Sequence, residues 1–198
     1  EKSYASFTLT AHNPGGHSSQ PRPDNAIYDL ADALKALQGY SFPVMWNDWT
    51  IGSFKAAAPV TPGELGQAMA KFAAHPGDAE AATVLAKTPA MIGRTRTTCV
   101  ATMLTGGHAD NALPQSATAT VNCRIFPGTS VAEVRDSLQQ VVGDRIEVQV
   151  LGEPHSSPPS PLRDDVLEAV TKAVRASHPG VPIVPDMAPY ATDGSIFR

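Results

Sequence analysis

The sequence predicts an α+β fold of the ferredoxin-like kind, in which a four-stranded antiparallel sheet carries two helices on one face. Four segments are strand-like, and alternating apolar and polar residues are clearest in the first, third and fourth; two segments between them have apolar residues at helical spacing. With an insertion after the first helix, the order is strand, helix, strand, strand, helix, strand, which lets both helices cover one side of a sheet. The chain has 198 residues, of which 42% are hydrophobic, enough to bury a core.

A glycine-rich turn separates the first strand from the first helix. Residues 6–12 alternate as a strand does, and Asn13-Pro14-Gly15-Gly16 ends it because proline lacks a backbone donor and glycine tolerates positive φ. We expect Asp24 to cap a helix that runs to about Gln38 and stops at Gly39. Its apolar residues share one helical face: Ile27, Leu30, Ala31, Leu34 and Leu37.

Residues 42–93 are predicted to be an insertion between core elements, not a separate domain. Trp46, Trp49 and Phe54 are expected in a short strand or a packed loop. The alanine-rich stretch from Pro62 to about Ala86 is expected to be helical, with a break at residues 75–77, where proline and glycine occur together.

The second half of the predicted sheet follows this insertion. Strands are expected at 97–104, 118–126 and 145–151, and a helix between the last two begins at Ser130 with the capping-box spacing to Glu133. In the middle strand, polar and apolar residues alternate, so Thr120, Asn122 and Arg124 are predicted on one face, away from the core. The first strand contributes Thr8, Thr10 and His12 to that open face, which must meet water or line a cleft.

The composition changes after Gly152. Residues 156–161 have the Ser/Pro composition of a linker, a helix is predicted at about 164–177, and the chain stops within a turn that contains Thr192-Asp193-Gly194. We therefore expect residues 1–152 to form one domain and residues 153–198 to be a linker and the truncated start of a segment of an α/β catalytic domain. The first residue is Glu1, so a targeting signal is expected upstream and the compartment is not predicted.

Charge and composition exclude several classes of partner. The net charge is -4 and the pI is near 5.8, so a nucleic-acid partner is not expected. No apolar run approaches the roughly 20 residues that span a bilayer, so a membrane partner is not expected either. Cys99 and Cys123 lack the CxxC spacing of a zinc site and are too few for a disulfide framework, so we expect two buried free thiols, although the sequence does not decide whether they pair.

His17 is the first candidate for chemistry. Two glycines precede it, and a turn of this kind can present an imidazole that donates a hydrogen bond to an oxyanion or acts as an acid or base. The alternative is an ordinary surface histidine in a flexible turn.

Four segments together resemble a known family. Gly-Gly-His-Ser-Ser-Gln-Pro at 15–21, followed by Asp-Asn-Ala-Ile at 24–27, resembles the opening of the lid domain in the dizinc metallopeptidases that include carboxypeptidases, aminoacylases and dipeptidases (peptidase family M20). Residues 110–114 resemble that family's Asn-x-x-Pro turn, residues 119–128 its arginine-bearing strand, and residues 191–194 the Thr-Asp turn where the chain re-enters the catalytic domain. The resemblance is closest to the branch that acts on N-acyl amino acids and Xaa-Gly dipeptides.

The resemblance implies roles for five residues of a homodimer. His17 is expected to stabilise the oxyanion in the partner's active site, and Asn111 and Arg124 to hold the substrate, a small peptide or N-acyl amino acid, with Arg124 pairing with its terminal carboxylate. Thr192 and Asp193 are expected at the cleft wall; the alternative for them is a helix N-cap. For Arg124 the alternative is a solvated strand arginine.

The resemblance also implies two zinc ions in the full-length parent, but none in this segment. The family's ligand set needs a His-x-Asp pair, a bridging Asp, a Glu-Glu pair and a late His, and this sequence has no Glu-Glu pair. His108-Ala109-Asp110 is interpreted as a coincidental match because it lies beside the Asn-x-x-Pro turn. The segment alone is therefore expected to be inactive. The competing hypothesis is a ferredoxin-like module that binds a small molecule or mediates association, with no enzymatic parent.

Overall fold

The computed structural model describes residues 1–154, 160–161, 163–184 and 186–195, and it confirms the predicted α+β fold. The main sheet has four antiparallel strands in the order β3-β5-β1-β6. A second, two-stranded sheet pairs β2 with β4. The strands are β1 (Ser3–His12), β2 (Gly16–His17), β3 (Thr98–Gly106), β4 (Ala112–Leu113), β5 (Ser116–Ile125) and β6 (Ile146–Leu151). The helices are α1 (Ala26–Gly39), α2 (Asp48–Ala57), α3 (Gly63–Ala74), α4 (Ala79–Ala86), α5 (Pro89–Thr95), α6 (Val131–Val142) and α7 (Asp164–Ser177).

The core lies on one face of the main sheet, beneath α1 and α6. In β5 every second residue from Ala117 to Ile125 is buried, and the residues between them are half-buried on the opposite face. The helices contribute the apolar stripes Ala26, Leu30, Ala33, Leu37 and Val134, Leu138, Val142. The alternation thus positions Thr120, Asn122 and Arg124 on the open face, as predicted.

The two helix caps differ in how well the sequence predicted them. Ser130 and Glu133 form the predicted capping box, since each side chain accepts from the other residue's backbone amide. The prediction of Asp24 as the cap of α1 is wrong. Asn25 is the N-cap, and its side chain accepts a hydrogen bond from the Ile27 amide. Asp24 accepts hydrogen bonds from Arg22 and Asn13 instead, which the sequence could not distinguish because Asp and Asn both cap well.

The insertion is helical throughout most of its length and has its own small core. The expected break at residues 75–77 separates α3 from α4. The prediction of a strand or loop for the tryptophan segment is wrong for Trp49 and Phe54, which lie in α2, because the Asn47 side chain caps a helix there. Seven buried residues form the insertion core: Phe54, Ala68, Met69, Phe72, Ala81, Ala82 and Leu85.

The cysteines form a disulfide, so the expectation of two free thiols is wrong. Cys99 of β3 and Cys123 of β5 are register partners, with their Cα atoms 4.1 Å apart. Their spacing of 24 residues gives no indication of this, because contact depends on the register of two strands joined by a long loop.

The C-terminal segment returns to the first strand and the insertion. Asp186 accepts hydrogen bonds from Arg94 and Ser53, and the Lys2 amide donates to the Ala188 carbonyl. The predicted α7 is present, and none of its residues is buried. Most of the predicted Ser/Pro linker lies outside the described residues. None of the helices in the described ranges is long and apolar enough to cross a bilayer.

Candidate functional site

His17 lies in a short hairpin beyond the end of β1. It pairs with Ala112 in the two-stranded sheet, and the Ser18 amide donates to the Asn111 carbonyl (2.9 Å). The turn that leads to it requires glycine at position 15, where φ is +78° and an added Cβ would lie 2.9 Å from Gln115 Cγ. Backbone pairing therefore brings together His17 and Asn111, two of the predicted site residues.

The loop that follows His17 is braced by an ion pair. Arg22 donates two hydrogen bonds to Asp24, and this contact lowers the pKa of the Asp24 carboxyl below its usual range. Asp24 also accepts from Asn13, whose own side chain accepts from the Gly15 amide. These contacts join the start of α1 to the turn and limit the positions that His17 can take.

The ring of His17 presents Nε2 to solvent. Nδ1 lies 2.8 Å from Ser19 Oγ and 3.2 Å from the Ser19 amide nitrogen. Because a backbone N–H can only donate, Nδ1 is the acceptor and the proton of the neutral ring lies on Nε2. An exposed Nε2–H is a suitable donor for a developing oxyanion.

A cleft of about 780 Å³ lies beside this hairpin. Ser18, Asn25, Asp110 and Pro114 are among its lining residues, and His108 also lies in it. Asn111 itself is exposed at its rim. The cleft is open on one side, so a surface of another protein could cover it.

Arg124 lies at the opposite end of the sheet. Its guanidinium stacks over the Tyr4 ring, 4.8 Å from the ring centroid. Ser6 links this pair to Asn122, since it contacts the Tyr4 hydroxyl (3.3 Å) and accepts from the Asn122 amide (3.1 Å). No carboxylate among the described residues forms an ion pair with Arg124, so its remaining N–H groups face the open side of the sheet.

Thr192 and Asp193 are at the same end as Arg124. Thr192 contacts the Glu1 carboxylate, and its hydroxyl accepts from the Gly194 amide, while Asp193 begins a short 3-10 helix. The predicted alternative of a helix cap therefore describes part of what Thr192 does.

The five predicted site residues thus fall into two groups at opposite ends of β1 and β5. Ser116 pairs with His12 near the His17 hairpin, whereas Arg124 pairs with Tyr4, eight residues further along β5. At about 3.3 Å per residue, the two groups are roughly 26 Å apart. One copy of the chain cannot place both groups around one dipeptide-sized substrate.

The described residues do not fit the metal centre that the family resemblance implies. No three side chains of His, Cys, Asp or Glu within the described ranges lie close enough together to hold a metal ion. His108 and Asp110 therefore lack a third ligand from this part of the chain, and no step of a reaction is derived through a metal here.

Lys2 is a buried residue of the Arg124 end that the sequence pattern did not predict. Its side chain is 1% exposed, and Nζ donates to the Arg96 carbonyl (2.5 Å). Burial, together with the charge of Arg124, lowers the pKa of Lys2 from its ordinary value of 10.5 to about 7. A lysine just before a strand carries no signal of burial, so only the packing of the insertion on β1 reveals it.

This burial predicts that stability rises with pH through the Lys2 amine. Above about pH 7 the folded state holds the amine neutral, whereas the unfolded chain keeps it protonated to about pH 10.5, so the unfolded state binds more protons. From pH 7 to 9 we expect the free energy of unfolding to rise by about 2 kcal/mol more in the wild type than in Lys2→Met, measured by urea denaturation. Parallel pH profiles for the two proteins would contradict a buried, neutral Lys2.

β3 is an edge strand with most of its residues exposed, and such an edge, with two separated polar groups, is typical of a domain that associates with another chain. The comparisons then identify which one: the description "Peptidase dimerisation domain" (M20_dimer) matches residues 1–148, and the chain belongs to this family of the M20 peptidases. M20 peptidases are metal-dependent hydrolases, and dimerisation domains of this kind associate with a second copy. This membership favours the enzyme-part hypothesis over a module with no enzymatic parent.

Two curated relatives show what the chain is similar to. It is 29% identical over 200 residues to the N-fatty-acyl-amino acid synthase/hydrolase PM20D1 of Xenopus tropicalis, covering 100% of this chain and 39% of that protein. It is 26% identical over 199 residues to the probable carboxypeptidase S-like 2 of Dictyostelium discoideum, covering 98% and 37%. The chain therefore spans about two fifths of the length of these relatives.

Two solved structures share the fold. An M20 family metallo-carboxypeptidase from Sulfolobus solfataricus superposes with a TM-score of 0.59 at 14% identity, covering 99% of this chain and 54% of that one. A tripeptidase from Staphylococcus aureus superposes with a TM-score of 0.53 at 16% identity, covering 98% and 40%. At these identities the likeness shows the fold alone.

Proposed function

We propose that residues 1–152 are the dimerisation (lid) domain of a zinc-dependent carboxypeptidase or N-acyl amino acid amidohydrolase. Residues 153–198 then form the linker and the start of a catalytic segment. The separation of His17 and Asn111 from Arg124 by roughly 26 Å carries this proposal. A domain that holds two halves of a site so far apart completes each site only when a second copy supplies the missing half.

The substrate class follows from the relatives and from Arg124. The relatives are by name an N-fatty-acyl-amino acid hydrolase and a carboxypeptidase, and the substrates of both activities carry a free carboxylate. The Arg124 guanidinium, held on one side by Tyr4, has a free edge that matches a carboxylate in a bidentate pair. Thr192 and Asp193 lie at this same end of the sheet and, in this proposal, form part of the wall of the substrate cleft.

The two zinc ions belong, in this proposal, to the rest of the parent enzyme. The zinc ions supply Lewis acid chemistry when bound, and the described residues of this segment do not form their site. What this chain contributes is His17, whose Nε2–H donates to the oxyanion across the dimer interface, and Asn111, which orients the same group. The isolated segment is therefore expected to hydrolyse nothing.

The surface for self-association is the edge formed by β3 and the neighbouring face of α1. Val100, Met103 and Leu104 are 59–66% exposed on this edge strand, and Leu104 forms a groove of about 160 Å³ with Ile27 and other α1 residues. An unpaired apolar strand edge is a template for pairing with another strand. An isologous contact along this edge pairs two copies of the chain. The acidic pI gives no reason to expect a nucleic-acid partner.

Leu104→Asp is therefore expected to convert the dimer into a monomer, because it places a charge in the centre of the proposed contact. The matched control is Val60→Asp, since Val60 is 80% exposed on the insertion, away from this edge. Light scattering measures both masses. A dimer that survives Leu104→Asp, or that is lost equally in Val60→Asp, would place the interface elsewhere.

Mixing two inactive variants of the parent enzyme tests the shared site itself. If His17 acts on the partner's substrate, a dimer of one His17→Ala chain and one Arg124→Ala chain contains one intact site and one doubly altered site. Random mixing then restores about a quarter of the wild-type activity, because half the dimers are mixed and each has one of two sites. No recovery of activity after confirmed subunit exchange would mean that the His17 and the Arg124 of one active site come from the same chain.

A further inference from the structure

A partly open, largely apolar cavity of about 350 Å³ lies at the Arg124 end of the domain, and Arg124 itself is not among the residues that line it. It is bounded by the end of α1, by α5, by the start of β3 and by Pro189 of the C-terminal segment. Tyr40 and Phe42 form one wall, with their rings edge to face at 4.9 Å. Its volume is within the range of small-molecule sites.

Arg96 is the one charged residue among those that line this cavity. It is 9% exposed, and its Nε is buried with no hydrogen-bond partner among the described residues. Burial lowers the pKa of its guanidinium, and no carboxylate in the described ranges pairs with it. An arginine remains charged in proteins, so this one is a buried cation without compensation.

The neighbouring groups supply no negative charge to Arg96. The Arg96 carbonyl accepts the hydrogen bond of Lys2, so a second basic side chain lies just behind the cavity. Arg94, two residues earlier, also has a buried Nε without a partner, but one of its terminal nitrogens pairs with Asp186, so its charge is compensated and that of Arg96 is not. An anion bound in the cavity would supply the charge partner that Arg96 lacks among the described residues.

We propose that this cavity binds a small monocarboxylate with an apolar body. The carboxylate pairs with the Arg96 fork, and the body of the ligand contacts Tyr40, Phe42 and Ile92. This site is distinct from that of Arg124, which does not line the cavity and stacks on Tyr4 on the open face. The inference does not depend on the proposed dimer or on the hydrolytic reaction.

Calorimetric titration of this chain with phenylacetate tests the site. Acetate lacks the apolar body and phenylacetamide lacks the charge, so we expect each to bind at least about tenfold more weakly. Arg96→Met should weaken phenylacetate binding by about tenfold or more, whereas Arg145→Met, which removes an exposed arginine that does not line the cavity, should leave it unchanged. Loss in Arg145→Met alone, or no binding to the wild type at millimolar concentrations, would overturn the proposal.

A measurement on the wild type alone tests the site even if Arg96→Met does not fold. Amide chemical shifts recorded with increasing phenylacetate should move for residues 40–42, Gly93 and residues 96–100, which surround the cavity. Shifts confined to residues 4 and 122–124 would place the ligand at Arg124 and refute the Arg96 site. Failure of the subunit-mixing experiment would leave these shifts unaffected, so the two proposals fail independently.

Discussion

Replacing His17 by alanine in the parent hydrolase is expected to lower kcat by about 10²–10³-fold, with a smaller change in KM. In the proposed role, the Nε2–H of His17 donates to a charge that develops only in the transition state, and removal of one such donor typically has an effect of this size. Steady-state kinetics on the purified dimer measures it.

Two further variants separate this role from a structural one. His17→Gln keeps an N–H donor near the Nε2 position, so it should retain more activity than His17→Ala. His12→Ala is the matched control, because His12 is also exposed at the same end of the sheet but contacts Glu147 instead of the hairpin. Equal losses in His12→Ala and His17→Ala would indicate that the hairpin is merely disturbed.

The open face of the sheet could be predicted from the sequence because its signal is local. Alternation along residues 118–126 positions Arg124 away from the core whatever the rest of the chain does. The spacing of Ser130 and Glu133 predicts a cap for the same reason. These features depend on neighbours within a few residues, so no knowledge of the tertiary fold was needed.

Several features that the sequence did not predict depend on distant contacts, whereas the cap of α1 was missed because of a local contact. Lys2 and Arg96 are 94 residues apart and are buried together only because the insertion packs against the start of β1. The pairing of Cys99 with Cys123 depends on strand register, and the choice of Asn25 over Asp24 depends on Arg22 holding Asp24. From the sequence alone, polar and charged residues of this kind are expected at the surface, because they are seldom fully buried in folded proteins.

The two-group arrangement of the site residues also required the structure. The family resemblance assigns His17, Asn111 and Arg124 to one substrate, but the register of β1 with β5 separates them along the length of the sheet. In the proposed dimer, the sheet is a rigid spacer between the half-site that a protomer uses itself and the half-site that it supplies to its partner. A flexible spacer of this length would lose the positional precision that oxyanion stabilisation needs.

Loss of the disulfide is expected to have the largest effect on stability. The bond closes a loop between residues 24 apart in the sequence, for which the chain-entropy relation gives about 3 kcal/mol. We therefore expect Cys99→Ala/Cys123→Ala to lower the free energy of unfolding by about that amount, and Tm by about 10 °C. Urea and thermal denaturation measure the two quantities.

The position of the bond makes a further effect expected in the same variant. Cys99 is near the start of β3, the edge strand that carries Leu104, and the bond ties this strand to β5. Without the bond, the β3 edge should be less ordered. The dimer of the variant should therefore dissociate at a higher protein concentration than the wild-type dimer does. Reducing agent should shift the wild type toward the variant and leave the variant unchanged, since the variant has no disulfide to reduce. Two titratable thiols in the native wild type, together with unchanged stability on reduction, would show that the cysteines are not bonded and that β3 is held by its ladder alone.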